Sequence, residues 1–181
     1  TLTEEDVVEI EYSATTDKDT VINLTNHAYF NLNGGGDITD HLLYLNSGKA
    51  LEADNNQFPT GDFVNLSNTE KDFSTAKPIG NTPLDDVFAL KKEKKEEVVL
   101  KGTRSGLTLG IETNQPAVVV YAPTELPTEW EYQTQMASKH PSVCLETQNF
   151  PDAPNHDNFP SSILKVGEVY LNRMVWRFNF E

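Results

Sequence analysis

The chain is built from short runs in which apolar and polar residues alternate with a period close to two. Such alternation is typical of β-strands that bury one face, whereas a helix repeats apolar residues every three or four positions. Clusters of Asn, Asp, Gly and Pro separate the runs, and no stretch carries a sustained apolar stripe of helical spacing. The runs occupy residues 7–12, 20–25, 97–100, 107–113, 117–121, 142–146 and 174–180. This pattern predicts an all-β sandwich.

Segments without regular alternation lie between the runs, and the longest are 31–40, 54–83 and 149–160. We predict loops there, and long ordered loops on a sheet scaffold are where binding residues commonly lie. Residues 91–97 hold the one cluster of lysines, and apolar runs flank it on both sides. We interpret this cluster as the solvated tip of a hairpin.

The net charge of the chain limits the classes of partner that it can bind. The 181 residues include 14 Lys and Arg and 28 Asp and Glu, so the formal net charge is −14. This surplus of acids argues against a nucleic-acid partner and against a basic membrane-surface module, because both depend on Lys and Arg. No apolar run approaches the ~20 residues of a membrane-spanning helix. The single cysteine, Cys144, excludes an internal disulfide and fits a reducing compartment, so we expect a cytoplasmic protein.

The spacing of reactive residues gives little support to metal or nucleophile chemistry. The four histidines are His27, His41, His140 and His156, and no two of them form an H-x-H or H-x-x-x-H pair. We therefore predict no metal site and no cofactor. No serine stands in a G-x-S-x-G motif, and Cys144 lies in an apolar run that suits a buried structural thiol.

Acid–base chemistry is the class that remains. His27 follows one strand-like run, and Glu146 lies in another. A histidine and a glutamate that face each other across a cleft can donate and accept protons in one reaction, and loops rich in Asn, Asp and aromatic residues fit a polyol ligand. The residues alone leave two interpretations open, because His27 can also be a hydrogen-bonded histidine at a strand end and Glu146 a member of a salt bridge.

Two longer motifs resemble those of a known family. Residues 24–32 read LTNHAYFNL, and residues 144–153 read CLETQNFPDA. They are similar to the L-T-N-H-x-Y-F-N-L and L-E-T-Q-x-x-P-D-A motifs of the aldose 1-epimerases, also called galactose mutarotases. Further segments match in the family's order: 59–61, 72–73, 77–80, 84–88, 159–161 and 167–170. The resemblance implies a galactose mutarotase-like β-sandwich, or supersandwich. It also implies interconversion of the α and β anomers of a hexose such as galactose or glucose, without cofactor or metal.

The resemblance also implies roles for individual residues. His27, in T-N-H, corresponds to the general acid that protonates the ring oxygen of the sugar. Glu146, in L-E-T-Q, corresponds to the general base that takes the proton of the C1 hydroxyl. Asp85 matches the aspartate that binds sugar hydroxyls, whereas Asp86 is interpreted as a turn or solvent-facing acid. A stacking face for the sugar is expected from Trp130 or Phe150, unless these aromatic residues only anchor the core or the loops.

Two features depart from the family pattern. Val119 stands where many members have a glutamine, so a contact to a sugar hydroxyl is expected to be lost. Family members are also nearly twice as long, and this chain begins shortly before its T-N-H motif. We therefore expect residues 1–181 to form a single mutarotase-like domain that is the C-terminal portion of the family fold. The N-terminal half, which carries an arginine and a further histidine, would then be a covalent or non-covalent partner.

Three hypotheses follow for function. The first is an aldose 1-epimerase acting on a monosaccharide. The second is a carbohydrate-binding or regulatory module on the same fold with impaired catalysis. The third is a related epimerase for a modified sugar, which the excess of acidic residues disfavours when that sugar is phosphorylated.

Overall fold

The structure, a computed structural model, describes residues 1–3, 5–125 and 139–180. The regular elements in these residues are β-strands, apart from one turn of 3-10 helix at Ala153–Asn155. The strands are β1 (Val7–Ala14), β2 (Thr20–Val21), β3 (Tyr29–Phe30), β4 (Leu42–Leu45), β5 (Ser47–Ala53), β6 (Pro59–Asn65), β7 (Lys77–Pro78), β8 (Leu84–Leu90), β9 (Val98–Lys101), β10 (Leu107–Thr113), β11 (Ala117–Ala122), β12 (Val143–Gln148), β13 (Ile163–Leu164) and β14 (Tyr170–Phe180).

The strands of the described residues form two six-stranded sheets and one two-stranded sheet. The first large sheet has the order β1-β14-β10-β9-β4-β7. The second, called the site sheet below, has the order β3-β12-β11-β8-β5-β6, and β13 pairs with β2. The strand pairs in all three sheets are antiparallel. The predicted all-β class is confirmed.

The hydrophobic core lies between the two large sheets. Leu43, Leu100 and Ile111 of the first sheet share one buried cluster with Phe88 and Leu145 of the site sheet, and all five side chains are fully buried. Neighbouring positions along β4 and β9 alternate between buried and partly exposed, which is the pattern of a strand with one face in a core. Strand β9 was predicted from the sequence, whereas β4, whose four residues read LLYL, was not.

Strand β6 lies inside the segment 54–83, where the sequence predicted a loop. It is an edge strand of the site sheet, and β5 is its only neighbour among the described strands. An edge strand needs few buried side chains and tolerates residues such as Pro59 and Gly61, so its alternation is weak. The loop prediction was wrong for β6, whose residues are mostly exposed and leave little apolar pattern, and for the two residues of β7.

The lysine cluster at 91–97 is not a hairpin tip, contrary to the prediction. Strand β8, which precedes it, belongs to the site sheet, and β9, which follows it, belongs to the other sheet. The segment therefore crosses from one sheet to the other. Its last residue, Glu97, is buried, and the carboxylate accepts a hydrogen bond from Asn46 Nδ2 at 2.8 Å.

The loop at 31–40 is held in place by hydrogen bonds to buried groups. Its central glycines, 34–36, have φ angles of 73°, 154° and 73°, a region that residues with a side chain rarely adopt. The backbone N–H of Leu32 donates to Nε2 of the fully buried His41 at 3.0 Å. Since the loop follows directly on β3, these contacts fix the end of the chain segment that carries His27.

Burial of His41 predicts a pH-dependent stability. Desolvation lowers the pKa of His41, and the nearby Asp40 carboxylate opposes this shift only in part. The unfolded chain then binds the proton more readily than the folded chain. The contribution of His41 to the free energy of unfolding should therefore be largest above about pH 6.5, the ordinary histidine pKa, and should fall as the pH decreases below it.

The variant His41→Leu isolates this contribution. It should unfold more easily near neutral pH by about 1–3 kcal/mol, since the N–H of Leu32 loses its acceptor. It should also lose less stability than the wild type as the pH falls. Urea unfolding of both proteins across the acidic range measures the two effects, and parallel pH profiles would contradict the assignment to His41.

Candidate active site

Glu146 lies on β12, between β3 and β11 in the site sheet. Side chains alternate along β12, so Leu145 faces the core between the sheets while Cys144 and Glu146 share the opposite face. Only 11% of the Glu146 side chain is exposed, although it lies on the outer face of the sheet. The sequence therefore places a carboxylate where neighbouring chain segments cover it.

His27 is the residue that lies against Glu146. Its Nε2 is 3.3 Å from Glu146 Oε1, while 53% of its side chain remains exposed. Its other ring nitrogen, Nδ1, is 3.4 Å from Cys144 Sγ. The rings of Tyr29 and Tyr121 flank the imidazole, with centroid distances of 5.0 and 6.1 Å. The imidazole thus bridges two side chains of one strand and keeps an open edge.

The two residues before His27 anchor it. The hydroxyl of Thr25 donates to the carbonyl of Thr147 on β12 at 3.0 Å. The amide of Asn26 contacts the sulfur of Met174 on β14 at 3.2 Å, and its Oδ1 accepts the backbone N–H of Ala28 at 3.2 Å. The T-N-H motif therefore consists of two anchoring side chains followed by the imidazole that they position.

Asp85 completes the predicted set, and it lies at the same cleft as Glu146. The cleft has a volume of about 560 Å³. Its polar and charged lining includes Glu52, Lys71, Asp85, Asp86, Glu146 and Gln148. Asp86 differs from its predicted solvent-facing role, because both of its carboxylate oxygens contact Lys71 Nζ, at 2.7 and 2.8 Å. Glu146 and Asp85 thus line one cleft, and His27 contacts Glu146 beside it. Lys71 is a lining residue that the sequence alone did not indicate.

Burial sets the electrostatics of Glu146. Desolvation raises the pKa of this carboxyl, the charge of Asp85 raises it further, and His27 counteracts both. A carboxylate with a raised pKa is a stronger base than an ordinary surface glutamate. The pair of Glu146 and His27 is therefore suited to moving protons near neutral pH.

The Cys144 thiol determines which nitrogen of the neutral His27 ring carries the proton. Burial, and to a lesser extent the charge of Glu146, raise the pKa of this thiol to about 12, so the sulfur keeps its proton at neutral pH. A protonated thiol can donate to Nδ1. We assign the ring proton to Nε2 on this basis, so that the N–H points towards Glu146. The prediction of a purely structural thiol did not foresee this contact.

The other residues that the sequence analysis considered for contact with a sugar differ in where they lie. Val119 pairs in register with Glu146 and lines the cleft, where its methyl groups offer no hydrogen bond. Phe150 is buried and packs against Phe63 and Phe159, so it serves the core rather than a sugar-stacking face. Trp130 lies outside the described residues. Among the described residues, Tyr29 and Tyr121 have rings beside His27. Tyr29 belongs to the motif at 24–32, but the sequence assigned no role to either residue.

Within the described part of the chain, no helix is both long and apolar enough to cross a bilayer.

Comparison with known proteins gives consistent matches. A family model described as Aldose 1-epimerase matches residues 1–177. An aldose 1-epimerase of Haemophilus influenzae is 34% identical over 194 residues, covering 98% of this chain and 57% of that protein. A galactose mutarotase of Mus musculus is 36% identical over 180 residues, covering 92% of this chain and 52% of that protein. The chain spans a little over half the length of these relatives.

Solved structures match over a similar share of the chain. A GalM/aldose epimerase homologue from C. elegans superimposes with a TM-score of 0.91 at 27% identity, covering 99% of this chain and 58% of that one. A galactose 1-epimerase from Lactobacillus acidophilus superimposes with a TM-score of 0.81 at 24% identity, covering 99% of this chain and 55% of that one. The sandwich is thus a fold shared with these proteins.

The charge of Asp85 provides a test of the electrostatics at Glu146. The variant Asp85→Asn removes a like charge, so the pKa of Glu146 should fall towards its ordinary value. Carboxyl carbon NMR of the titrating protein measures this shift. The matched control is Glu11→Gln, which removes an exposed charge on β1 of the other sheet and should leave the Glu146 titration unchanged. An unchanged or higher pKa in Asp85→Asn would show that the charge of Asp85 does not raise the pKa of Glu146.

Proposed function

The chain belongs to the aldose 1-epimerase family, and we propose that its cleft takes part in interconverting the α and β anomers of a neutral hexose such as galactose or glucose. The observation that supports this most directly is the contact of His27 Nε2 with Glu146 Oε1, 3.3 Å apart at the edge of an open cleft. Because the chain spans about half the length of its relatives, the activity is proposed for a site of which these residues form a part.

The proposed mechanism uses two proton transfers. His27, in its protonated form, donates a proton to the ring oxygen while Glu146 accepts the proton of the C1 hydroxyl, so the bond between C1 and the ring oxygen breaks and an aldehyde forms. The aldehyde rotates about the C1–C2 bond and the ring closes on its other face, with both transfers reversed. The two oxygens are bonded to the same carbon, so an acid and a base a few ångströms apart reach both.

Charge around the cleft supports a neutral sugar. Among the described residues four acids line it, and its lysine, Lys71, is already paired with Asp86. An anionic sugar would meet unpaired carboxylates without a free cation in this lining to balance its charge, whereas neutral hydroxyls can donate hydrogen bonds to Asp85. This arrangement argues against a phosphorylated substrate.

The acid–base roles predict the effect of two substitutions. His27→Ala and Glu146→Gln should each slow anomer interconversion by about 10²–10⁴-fold, the usual contribution of a positioned proton donor or acceptor. Polarimetry of freshly dissolved α-galactose measures the rate, and α-glucose and galactose 6-phosphate test the preference for a neutral sugar. His140→Asn is a suitable control, since it replaces a histidine outside the cleft lining at a positive φ angle that asparagine tolerates.

The outcome separates the enzyme from a binding module. Acceleration of mutarotation by the wild type and by His140→Asn, together with its loss in the other two variants, supports the proposal. Sugar binding without acceleration would contradict it and favour a carbohydrate-binding or regulatory module. Acceleration that occurs only with the phosphorylated sugar would contradict the neutral substrate.

Substitution of Val119 should have a second, smaller effect, on KM. The variant Val119→Gln adds an amide to the cleft wall beside Glu146, where it can bond a sugar hydroxyl. The gain of one hydrogen bond, about 1 kcal/mol, should lower KM by roughly fivefold. The same contact is available in substrate and transition state, so kcat should change little. Val118→Ile, at a buried position of the same strand outside the cleft lining, is the control, and an unaltered KM in Val119→Gln would contradict the prediction.

A further inference from the structure

The imidazole of His27 and the two side chains that it contacts, Cys144 and Glu146, have the chemistry of a metal site. His27, Cys144 and Glu146 each place one donor atom within 4.8 Å of the others. Sequence spacing gave no sign of this group, because residue 27 and the strand β12 are brought together only by the pairing of β3 with β12. Imidazole nitrogen, thiolate sulfur and carboxylate oxygen are the three ligand types that Zn²⁺ binds in proteins.

The distance between sulfur and nitrogen fits a tetrahedral ion. Zn–S bonds are about 2.3 Å and Zn–N bonds about 2.0–2.1 Å, so adjacent sulfur and nitrogen ligands lie about 3.5 Å apart. Cys144 Sγ and His27 Nδ1 are 3.4 Å apart. In the tautomer with the ring proton on Nε2, Nδ1 directs its lone pair towards the sulfur. An ion that replaces the thiol proton therefore lies beside the line between the two atoms, at bonding distance from both, with neither atom moving far.

We propose that His27, Cys144 and Glu146 form a site for a thiophilic divalent cation such as Zn²⁺, and that a bound ion blocks the proton transfers of the same residues. The ion binds by displacing the thiol proton of Cys144, which leaves to solvent, and no electron is transferred. One thiolate and one carboxylate then balance the two positive charges of the ion. The blocking of activity rests on the proposed function, whereas binding of the ion does not.

Access and charge favour this binding. Half of the His27 side chain is exposed while Cys144 is fully buried, so an ion approaches the sulfur past the imidazole, and water is available as a fourth ligand. The Glu146 carboxylate now faces Nε2 and must move on the order of 1 Å to reach the ion, within the range of a side-chain adjustment. Burial and the charge of Glu146 disfavour the free thiolate, and a divalent cation offsets both. Since a proton is released, binding should strengthen as the pH rises.

Cobalt(II) provides a direct spectroscopic test. The wild-type protein titrated with Co²⁺ should develop the near-ultraviolet absorption of a cobalt–thiolate bond with one equivalent of ion, and Zn²⁺ should abolish it. Cys144→Ser should lose this band. Asp152→Asn is the matched control, because it removes the carboxylate of a separate histidine–carboxylate pair, His156 and Asp152, whose atoms are 3.2 Å apart. The control should keep the band.

A second variant and the inhibition assay complete the test. His27→Gln changes a half-exposed side chain, so it should fold normally, and it should lose the band at the same concentration of Co²⁺.

Micromolar Zn²⁺ should slow mutarotation by the wild type more at pH 8 than at pH 6.5, and EDTA should reverse this inhibition. Cys144→Ser should need at least tenfold more Zn²⁺ for the same fractional loss of activity. The proposal is overturned if the wild type shows no thiolate band, or if Cys144→Ser keeps the band or the sensitivity to Zn²⁺. The band requires no catalysis, so its result stands whether or not the proposed function is correct.

Discussion

Burial of the Glu146 carboxylate is the constraint on which the site depends. A carboxylate that loses water becomes harder to ionise unless an opposite charge or hydrogen bonds compensate. Desolvation is accordingly the main cause of the raised pKa at Glu146, and His27, 3.3 Å away, is the group that opposes it. Whatever fixes the position of His27 therefore also fixes the basicity of Glu146. The contacts of Thr25 with β12 and of Asn26 with β14 hold His27 in place. They therefore affect the pKa of Glu146 as well as the fold.

The neighbouring aspartates show why sequence position alone does not assign a role. Asp85 and Asp86 are adjacent on β8, yet Asp86 is held by two contacts from Lys71 while Asp85 is exposed at the cleft. The charge of Asp86 is thereby largely balanced inside the protein. The charge of Asp85 remains free to act on Glu146 or on a ligand hydroxyl. The resemblance to the family selected Asp85 from the motif. The ion pair of Asp86 with Lys71 gives a physical reason why Asp85, and not Asp86, is available to a ligand.

Sequence patterns predicted strands such as β1 and β10, in which apolar and polar residues alternate. Strand β10 was predicted with its observed bounds, Leu107–Thr113, because it lies between two neighbours and packs on the core. Strands β4 and β8 were not predicted, because LLYL and LDDVFAL do not alternate between apolar and polar residues, and β6 was not predicted because its residues are mostly exposed. The crossing at 91–97 was misread because alternation does not say which sheet a strand joins. His27 and Glu146 were selected as an acid–base pair, but their roles came from motif resemblance. The contact of Cys144 with His27 required the register of β3 against β12, which no spacing along the chain encodes.

The same proximity that suits His27 and Glu146 to proton transfer exposes them to a competing cation. An acid and a base that exchange protons with one substrate must have lone pairs within a few ångströms of one another, and this is also what a metal ion requires of its ligands. A serine or alanine at position 144 would leave two such donors, whereas the sulfur of Cys144 adds a third of higher affinity for soft ions. The thiol nonetheless contributes to the resting site, because a neutral donor at Nδ1 directs the ring proton towards Glu146 without adding charge. The thiol therefore favours, in the neutral ring, the tautomer with the proton on Nε2, at the cost of a site that thiophilic ions can occupy.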